Sequence, residues 1–134
     1  MPALKKVLFV CVENAGRSQM AEGFFRKYAP PGYEPQSAGT IPAPSINHLA
    51  VEAMKEVGID ISSQTPKVID DSMIRQAERV VNMGCMDKES CPALFIGDVV
   101  GWSIPDPKEL PIDEVRNIRD MIERKVLELC KTLE

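Results

Sequence analysis

The chain has 134 residues, 44% of them hydrophobic and 27% charged, and a formal net charge of −4 at pH 7. This length suits one folded domain over residues 1–134 with one core, and the composition excludes a disordered chain. The negative charge gives no overall attraction to nucleic acid or to an anionic membrane, so an anionic ligand needs a local positive site. No apolar run approaches the roughly 20 residues that span a bilayer, and no signal-peptide pattern follows Met1. We therefore expect a cytoplasmic protein with no nucleic-acid or membrane partner.

The first half of the chain alternates strand patterns with helix patterns. The predicted elements are a strand at 6–10, a helix at 18–28, a strand at 34–38 and a helix that runs from its cap Ser45 to about Val57. The run at 6–10 is apolar at every position, which is typical of a strand buried on both faces of a parallel sheet.

The second half begins irregularly and ends in the clearest helix. The predicted elements are a loop at 66–73, a short helix at 74–77, a strand at 79–83, an irregular stretch at 84–97, a strand at 98–102 and a helix at 113–133. Strands that alternate with helices predict an α/β domain with a mostly parallel sheet. In such domains ligands bind beyond the carboxyl ends of the strands.

The loop between the first strand and the first helix has the length and composition of an oxyanion cradle. Its residues are Cys11, Val12, Glu13, Asn14, Ala15, Gly16, Arg17 and Ser18. Every residue from Val12 to Ser18 is a candidate contact to the oxyanion. The backbone N–H groups of such a loop can converge on one tetrahedral anion, and the following helix adds the positive end of its dipole. Gly16 permits backbone angles that a side chain opposes, and Arg17 can donate a fork of hydrogen bonds to two oxygens of the anion.

Cys11 is the predicted nucleophile of this loop. Helix N-termini and a nearby arginine favour the thiolate form of cysteine. Ser18 can donate its hydroxyl hydrogen to the sulfur, and the amide of Asn14 can brace the loop. The alternative is a small buried cysteine that ends a strand, beside an exposed Arg17. The strand before the loop and the helix after it favour the nucleophile.

Three segments resemble one known family. CVENAGRSQMAEGF at 11–24, SAGT at 37–40 and IPDP at 104–107 are similar to the low-molecular-weight protein tyrosine phosphatase superfamily. Within it, the SQMAEG continuation and the paired cysteines near residue 88 resemble the thioredoxin-coupled arsenate reductases. The resemblance covers nearly the whole chain and implies a single α/β domain with a four-stranded parallel sheet, in the strand order 2-1-3-4, flanked by helices.

Asp106 is the candidate general acid. A thiolate that attacks phosphate or arsenate leaves a departing oxygen that needs a proton. Asp106 lies in the rigid turn Pro105-Asp106-Pro107, and the resemblance places the family's Asp-Pro acid there. The alternative is an aspartate that only initiates a turn, as aspartate beside proline commonly does.

Cys85 and Cys91 follow the strand at 79–83, and parallel topology puts them at the same sheet edge as Cys11. In a reducing compartment, cysteines are expected as thiols rather than as a disulfide framework. We expect Cys85 to attack an adduct on Cys11 and Cys91 then to attack Cys85, which leaves a Cys85–Cys91 disulfide for a redoxin to reduce. The alternative is a buried Cys85 and an incidental Cys91. No metal is expected, because zinc usually takes four closely spaced Cys or His ligands and the one histidine is His48.

Two enzymatic functions and one other remain open. The first is a monomeric arsenate reductase with no tightly bound cofactor, which uses thioredoxin or a similar thiol reductant as co-substrate. The second is a low-molecular-weight protein tyrosine phosphatase that forms a phosphocysteine. The third is an oxyanion-binding or redox-sensing module without turnover. Residues 40–47 contain no aromatic side chain, and Lys108-Glu109 stand where many such phosphatases have tyrosines, which favours a small inorganic oxyanion such as arsenate.

Overall fold

The structure, a computed structural model, describes residues 4–83 and 99–133. Its elements in chain order are β1 (Lys5–Cys11), α1 (Arg17–Tyr28), β2 (Tyr33–Gly39), α2 (His48–Glu56), α3 (Asp71–Gln76), β3 (Ala77–Asn82), β4 (Val99–Gly101) and α4 (Ile112–Leu133). The four strands form one parallel sheet in the order β2-β1-β3-β4. The predicted α/β class and strand order are confirmed.

Strand β1 lies between β2 and β3 in the sheet, and both of its faces are covered. Val7 and Phe9 belong to the larger core cluster, which α1, α2 and α4 share, and Leu8 and Val10 belong to a smaller cluster that includes residues of α3. All four side chains are fully buried. A strand covered on both faces needs apolar side chains at consecutive positions, which explains the unbroken run. Cys11 ends this strand at the sheet edge where the loop begins.

Aromatic packing fixes the larger cluster next to the loop. The ring centroid of Phe9 lies 5.8 Å from that of Phe25 and 5.8 Å from that of Trp102. Offset or edge-on pairs at this separation add about 0.5–1.5 kcal/mol each beyond the area they bury. Trp102 therefore packs in the core against Phe9 of β1.

Helix α2 begins at His48, two residues later than a cap at Ser45 predicts. The sequence pattern placed the cap at Ser45, whereas Asn47 holds that position and its side-chain oxygen accepts the N–H of Leu49 at 2.9 Å. The backbone N–H of Asn47 donates to the carbonyl of Ala15, 2.9 Å away. This bond fixes Asn47 beside the loop and leaves Ser45 in the preceding turn.

Helix α3 replaces part of the loop predicted at 66–73. It begins at Asp71 rather than at Ile74, because the side chain of Asp70 accepts the N–H of Met73 at 2.8 Å and caps the helix. Aspartate is among the best N-cap residues. None of the six residues of α3 is buried, so the sequence carries no apolar stripe that marks this helix.

Helix α4 packs one apolar stripe against α1 and α2 and exposes charged residues on its other side. Cys130 on this helix is 5% exposed and belongs to the larger core cluster. In the two described ranges, no helix has both the length and the apolar run needed to cross a bilayer.

Candidate active site

Three of the five predicted catalytic residues line one cavity of about 710 Å³. Cys11 comes from the end of β1, Arg17 from the start of α1, and Asp106 from the turn before α4. Residues 41–49 form the opposite wall. The cavity lies beyond the carboxyl ends of the parallel strands, where ligands of such sheets bind.

The loop presents its N–H groups to the cavity because its carbonyl groups are bound elsewhere. The carbonyls of Val12, Glu13, Asn14 and Ala15 accept, each at 2.9 Å, from the N–H of Ile41, the N–H of Ala43, the side-chain amide of Gln19 and the N–H of Asn47. In a trans peptide the C=O and the following N–H point in opposite directions. The N–H groups of residues 13–16 are therefore directed away from these partners, in the arrangement of an anion-binding nest.

The sulfur of Cys11 lies inside this nest. The N–H of Asn14 donates to Sγ at 3.2 Å, and the hydroxyl of Ser18 lies 2.9 Å from it. The hydroxyl oxygen of Ser18 also accepts from the side-chain amide of Asn14 at 2.6 Å, which leaves the hydroxyl hydrogen free to point at the sulfur. Two donors on one buried sulfur are the contacts that a negative charge there requires.

Asn14 has the one positive φ in the loop 11–18. Its φ is 52°, in the left-handed region that asparagine tolerates better than most residues. Gly16 has a φ of −130° and a ψ of −81°, and its conformational role in the loop stays a prediction. Gly16 is needed for space, because a Cβ at this position lies 2.8 Å from Cγ of Pro107.

Arg17 links the loop to two distant parts of the chain. One terminal nitrogen, Nη1, donates to the carbonyls of Met83 at 2.9 Å and Ile104 at 3.2 Å. The other, Nη2, lies 3.6 Å from Oδ2 of Asp106, which is an ion pair but too long for a hydrogen bond. Nη2 therefore remains able to donate to an anion. The side chain is 10% exposed, so the guanidinium is held in one place.

Asp106 is half exposed at the edge of the cavity. Its Oδ1 accepts the backbone N–H of Lys108 at 3.0 Å, and Oδ2 faces Arg17. The side chain of Lys108 in turn donates to Oε1 of Glu13 at 2.7 Å. No sequence pattern pairs Glu13 with Lys108, because the two lie on separate turns.

Gln19 is a further structural residue of the site that the sequence analysis missed. Its side chain is fully buried, and its amide nitrogen donates to the backbone carbonyl of Asn14 at 2.9 Å and to that of Thr65 at 3.0 Å. The side-chain amide of Gln64 donates to Oε1 of Gln19 at 2.7 Å. A polar residue between the core residues of an amphipathic helix was the available signal.

Cys85 and Cys91 lie outside the described residues. The backbone carbonyl of Met83, two residues before Cys85, accepts from Arg17 and so belongs to the site. Within 4–83 and 99–133, no group of three or more His, Cys, Asp or Glu side chains has a metal-binding arrangement. His48 is exposed at the cavity wall.

We expect Gly39→Ala to distort the loop and lower stability. Gly39 ends β2, and a Cβ there lies 2.5 Å from the carbonyl oxygen of Val12 and 2.9 Å from the nitrogen of Asn14. Both neighbours are backbone atoms, so the strain is expected to reduce the free energy of unfolding by about 1–3 kcal/mol. Urea unfolding measures this change. The matched control is Gly101→Ala in β4, since a Cβ there meets no described atom within 4 Å. Equal stability of the two variants contradicts the prediction.

Comparison with known proteins gives one family. The family model described as low molecular weight phosphotyrosine protein phosphatase matches residues 6–134. Arsenate reductase 2 of Staphylococcus epidermidis is 39% identical over 130 residues, which cover 96% of this chain and 97% of that protein.

Two solved structures agree with this result. The thioredoxin-dependent arsenate reductase of Corynebacterium glutamicum is 37% identical with a TM-score of 0.80, and the match covers 97% of this chain. This chain spans 62% of the length of that Corynebacterium chain. An arsenate reductase in the phosphate binding state is 30% identical with a TM-score of 0.86, and the match covers 98% of this chain and 100% of the other.

Proposed function

Because this chain belongs to the low-molecular-weight phosphotyrosine protein phosphatase family, we propose that it is an arsenate reductase in which Cys11 attacks the substrate. The observation that carries the proposal is the sulfur of Cys11 at the centre of the N–H nest, beside Arg17 and Asp106. The cavity wall at 41–49 contributes no Phe, Tyr or Trp ring, which suits a small inorganic oxyanion better than an aryl ester. The relatives named above are arsenate reductases over nearly the whole chain.

The first step is a nucleophilic substitution at arsenic. The thiolate of Cys11 forms an S–As bond while one As–O bond breaks, and the electron pair of that bond stays on the departing oxygen. The carboxyl group of Asp106 gives its proton to this oxygen. No atom changes oxidation state in this step. The N–H groups of residues 13–16 and the guanidinium of Arg17 hold the remaining oxygens.

The second step uses Cys85 and then Cys91. The thiolate of Cys85 attacks the sulfur of Cys11, the S–As electron pair passes to arsenic, and arsenite leaves. Cys91 then attacks Cys85 and releases the thiolate of Cys11, so the two electrons come from the thiols of Cys85 and Cys91, which end as a disulfide. The contact of Met83 with Arg17 supports an attack by Cys85, since the two residues from Met83 to Cys85 span at most about 7 Å.

The disulfide needs an external reductant. A dithiol protein of the thioredoxin class fits, because it can exchange both thiols with a Cys85–Cys91 disulfide, and the Corynebacterium relative is named for thioredoxin. We infer a cytoplasmic location, where such reductants keep thiols reduced, and a single catalytic domain over residues 1–134. Nothing in this scheme calls for a tightly bound cofactor or a metal.

A phosphatase is the second candidate, and the family background favours it. Cys11, Arg17 and Asp106 suffice for attack on a phosphate monoester, hydrolysis of the phosphocysteine and release of phosphate. The two activities share their first step, so they can coexist in one protein.

Stoichiometric arsenate with the reduced protein separates the two. After an alkylating quench, peptide mass spectrometry shows which cysteines are oxidised, and arsenite is assayed in the supernatant. A Cys85–Cys91 disulfide with one equivalent of arsenite is the expected result. Reduced thiols throughout, together with hydrolysis of an aryl phosphate, reject the reductase and leave the phosphatase.

Asp106→Asn is expected to slow the first step by about 100-fold, because general acid catalysis commonly contributes 10²–10⁴-fold. The asparagine can keep the hydrogen bond from Lys108 but has no proton of suitable acidity to give. The rate of arsenate-driven thiol loss in a single turnover measures the effect. Asp120→Asn, on α4 and outside the cavity, is the control. A rate within twofold of the unmodified protein removes Asp106 from the mechanism.

A further inference from the structure

Glu13 is a carboxylate within a loop whose backbone is arranged for an anion. A free carboxylate at this position repels an incoming oxyanion. Its Oε1 accepts a hydrogen bond from Nζ of Lys108 at 2.7 Å, and the two side chains are 34% and 56% exposed. The hydrogen bond from Lys108 to Glu13 raises the pKa of Lys108, so the ammonium group stays charged at neutral pH. The pair therefore cancels the charge of Glu13 at the cavity wall.

Lys108 also joins this pair to Asp106. Its backbone N–H donates to Oδ1 of Asp106 at 3.0 Å, while its ammonium group is bound by Glu13. We call residues 105–108 the acid segment. The acid segment meets the loop at three places: Glu13, Gly16 and Arg17. Of these three contacts, only the one at Glu13 is a short hydrogen bond between two charged groups. Hydrogen bonds between charged groups are the strongest kind.

We propose that Glu13 is a positioning residue for the general acid, and that the Glu13–Lys108 ion pair is a latch that holds the acid segment against the loop. With the latch formed, the carboxyl of Asp106 stays at the cavity edge, where the departing oxygen receives its proton. The identity of the substrate rests on the proposed function. The proton step does not, because arsenate and phosphate monoesters share it.

The latch acts on rate rather than on stability. Exposed ion pairs stabilise a fold very little, so unfolding is expected to be nearly unchanged without it. A catalytic group displaced by about 1 Å can lose about 100-fold in rate. Asp106 still faces Arg17 and Pro107 still lies against Gly16 when the latch is broken, so the expected loss is smaller, about tenfold.

Two variants break the latch from opposite sides. Glu13→Gln removes the carboxylate charge, and Lys108→Met removes the ammonium group while keeping the backbone N–H that contacts Asp106. Each is expected to slow single-turnover, arsenate-driven thiol loss about tenfold, and the double variant is expected to be no slower than either single one. The control is Glu56→Gln, because Glu56 forms an exposed ion pair with Arg116 that is also 2.7 Å long. Its rate is expected to be unchanged.

The decisive measurement repeats Glu13→Gln in an Asp106→Asn background. A latch that acts through Asp106 has nothing left to position, so no further loss is expected there. The same tenfold loss in both backgrounds, or no loss in either, overturns the latch.

Parallel assays separate this inference from the proposed function. If the unmodified protein forms no arsenite but hydrolyses an aryl phosphate with the same pattern among variants, the latch stands and the reductase falls. If arsenite forms and Glu13→Gln matches the unmodified protein, the latch falls and the reductase stands. If the unmodified protein shows neither reaction, both fall.

Discussion

Cys11→Ser is expected to lower arsenite formation by about 10⁴-fold or more. Loss of the nucleophile alone costs about as much rate as loss of all the catalytic residues together. The serine oxygen occupies nearly the same place but is not ionised near neutral pH. The hydrogen bonds of the loop carbonyls hold the N–H groups of residues 13–16 in place without the sulfur, so oxyanion binding is expected to persist. Arsenite release measures the loss, and calorimetry with phosphate measures the binding.

Cys130→Ser is the matched control for this loss. Cys130 is 5% exposed, as buried as Cys11 is at 2%, but it lies in α4 and does not line the cavity. Its replacement is expected to cost stability and to leave turnover per folded molecule unchanged. Equal loss of arsenite formation in both variants shows that the effect comes from folding and removes Cys11 from its assigned role.

Arg17→Lys is expected to lower kcat/KM for arsenate by about 10²–10³-fold, the usual cost of one lost donor to developing negative charge. A lysine has the charge but not the planar fork. It cannot donate to the carbonyls of Met83 and Ile104 from one nitrogen while a second nitrogen faces the anion. We therefore expect weaker oxyanion binding as well as a slower step.

Steady-state kinetics with arsenate and protection of Cys11 from iodoacetamide by phosphate measure the two effects separately. Arg124→Lys in α4 is the control, because this arginine is exposed and outside the cavity. Unchanged protection by phosphate in Arg17→Lys argues against a direct contact between Arg17 and the anion.

The parts of the fold that could be predicted are those with an apolar pattern. The unbroken run in β1 and the long stripe in α4 follow directly from burial, and both elements are found within one residue of their predicted limits. Helix α3 was predicted too short because it buries no residue, and its signal was the cap Asp70 alone. The order of the strands followed from the family resemblance rather than from periodicity.

The site divides in the same way. The loop at 11–18 is contiguous, so its cysteine, arginine and serine could be identified in the sequence. The groups that shape it are backbone atoms from distant segments, such as the carbonyl of Met83 and the N–H of Lys67 that donates to Asn14. Every residue type supplies a backbone carbonyl and every type except proline supplies an N–H, so no sequence pattern marks these groups.

The turn beside the loop alternates residues that donate with residues that cannot. Ile41 and Ala43 give their N–H groups to the loop, while Pro42 and Pro44 have none. A slip of one residue would set a proline against each carbonyl and leave both acceptors unmet. Only one register of the turn therefore satisfies both carbonyl groups. The main-chain N–H groups of Ile41 and Ala43 hold the nest in shape, so the side chains of these two residues can vary without altering it.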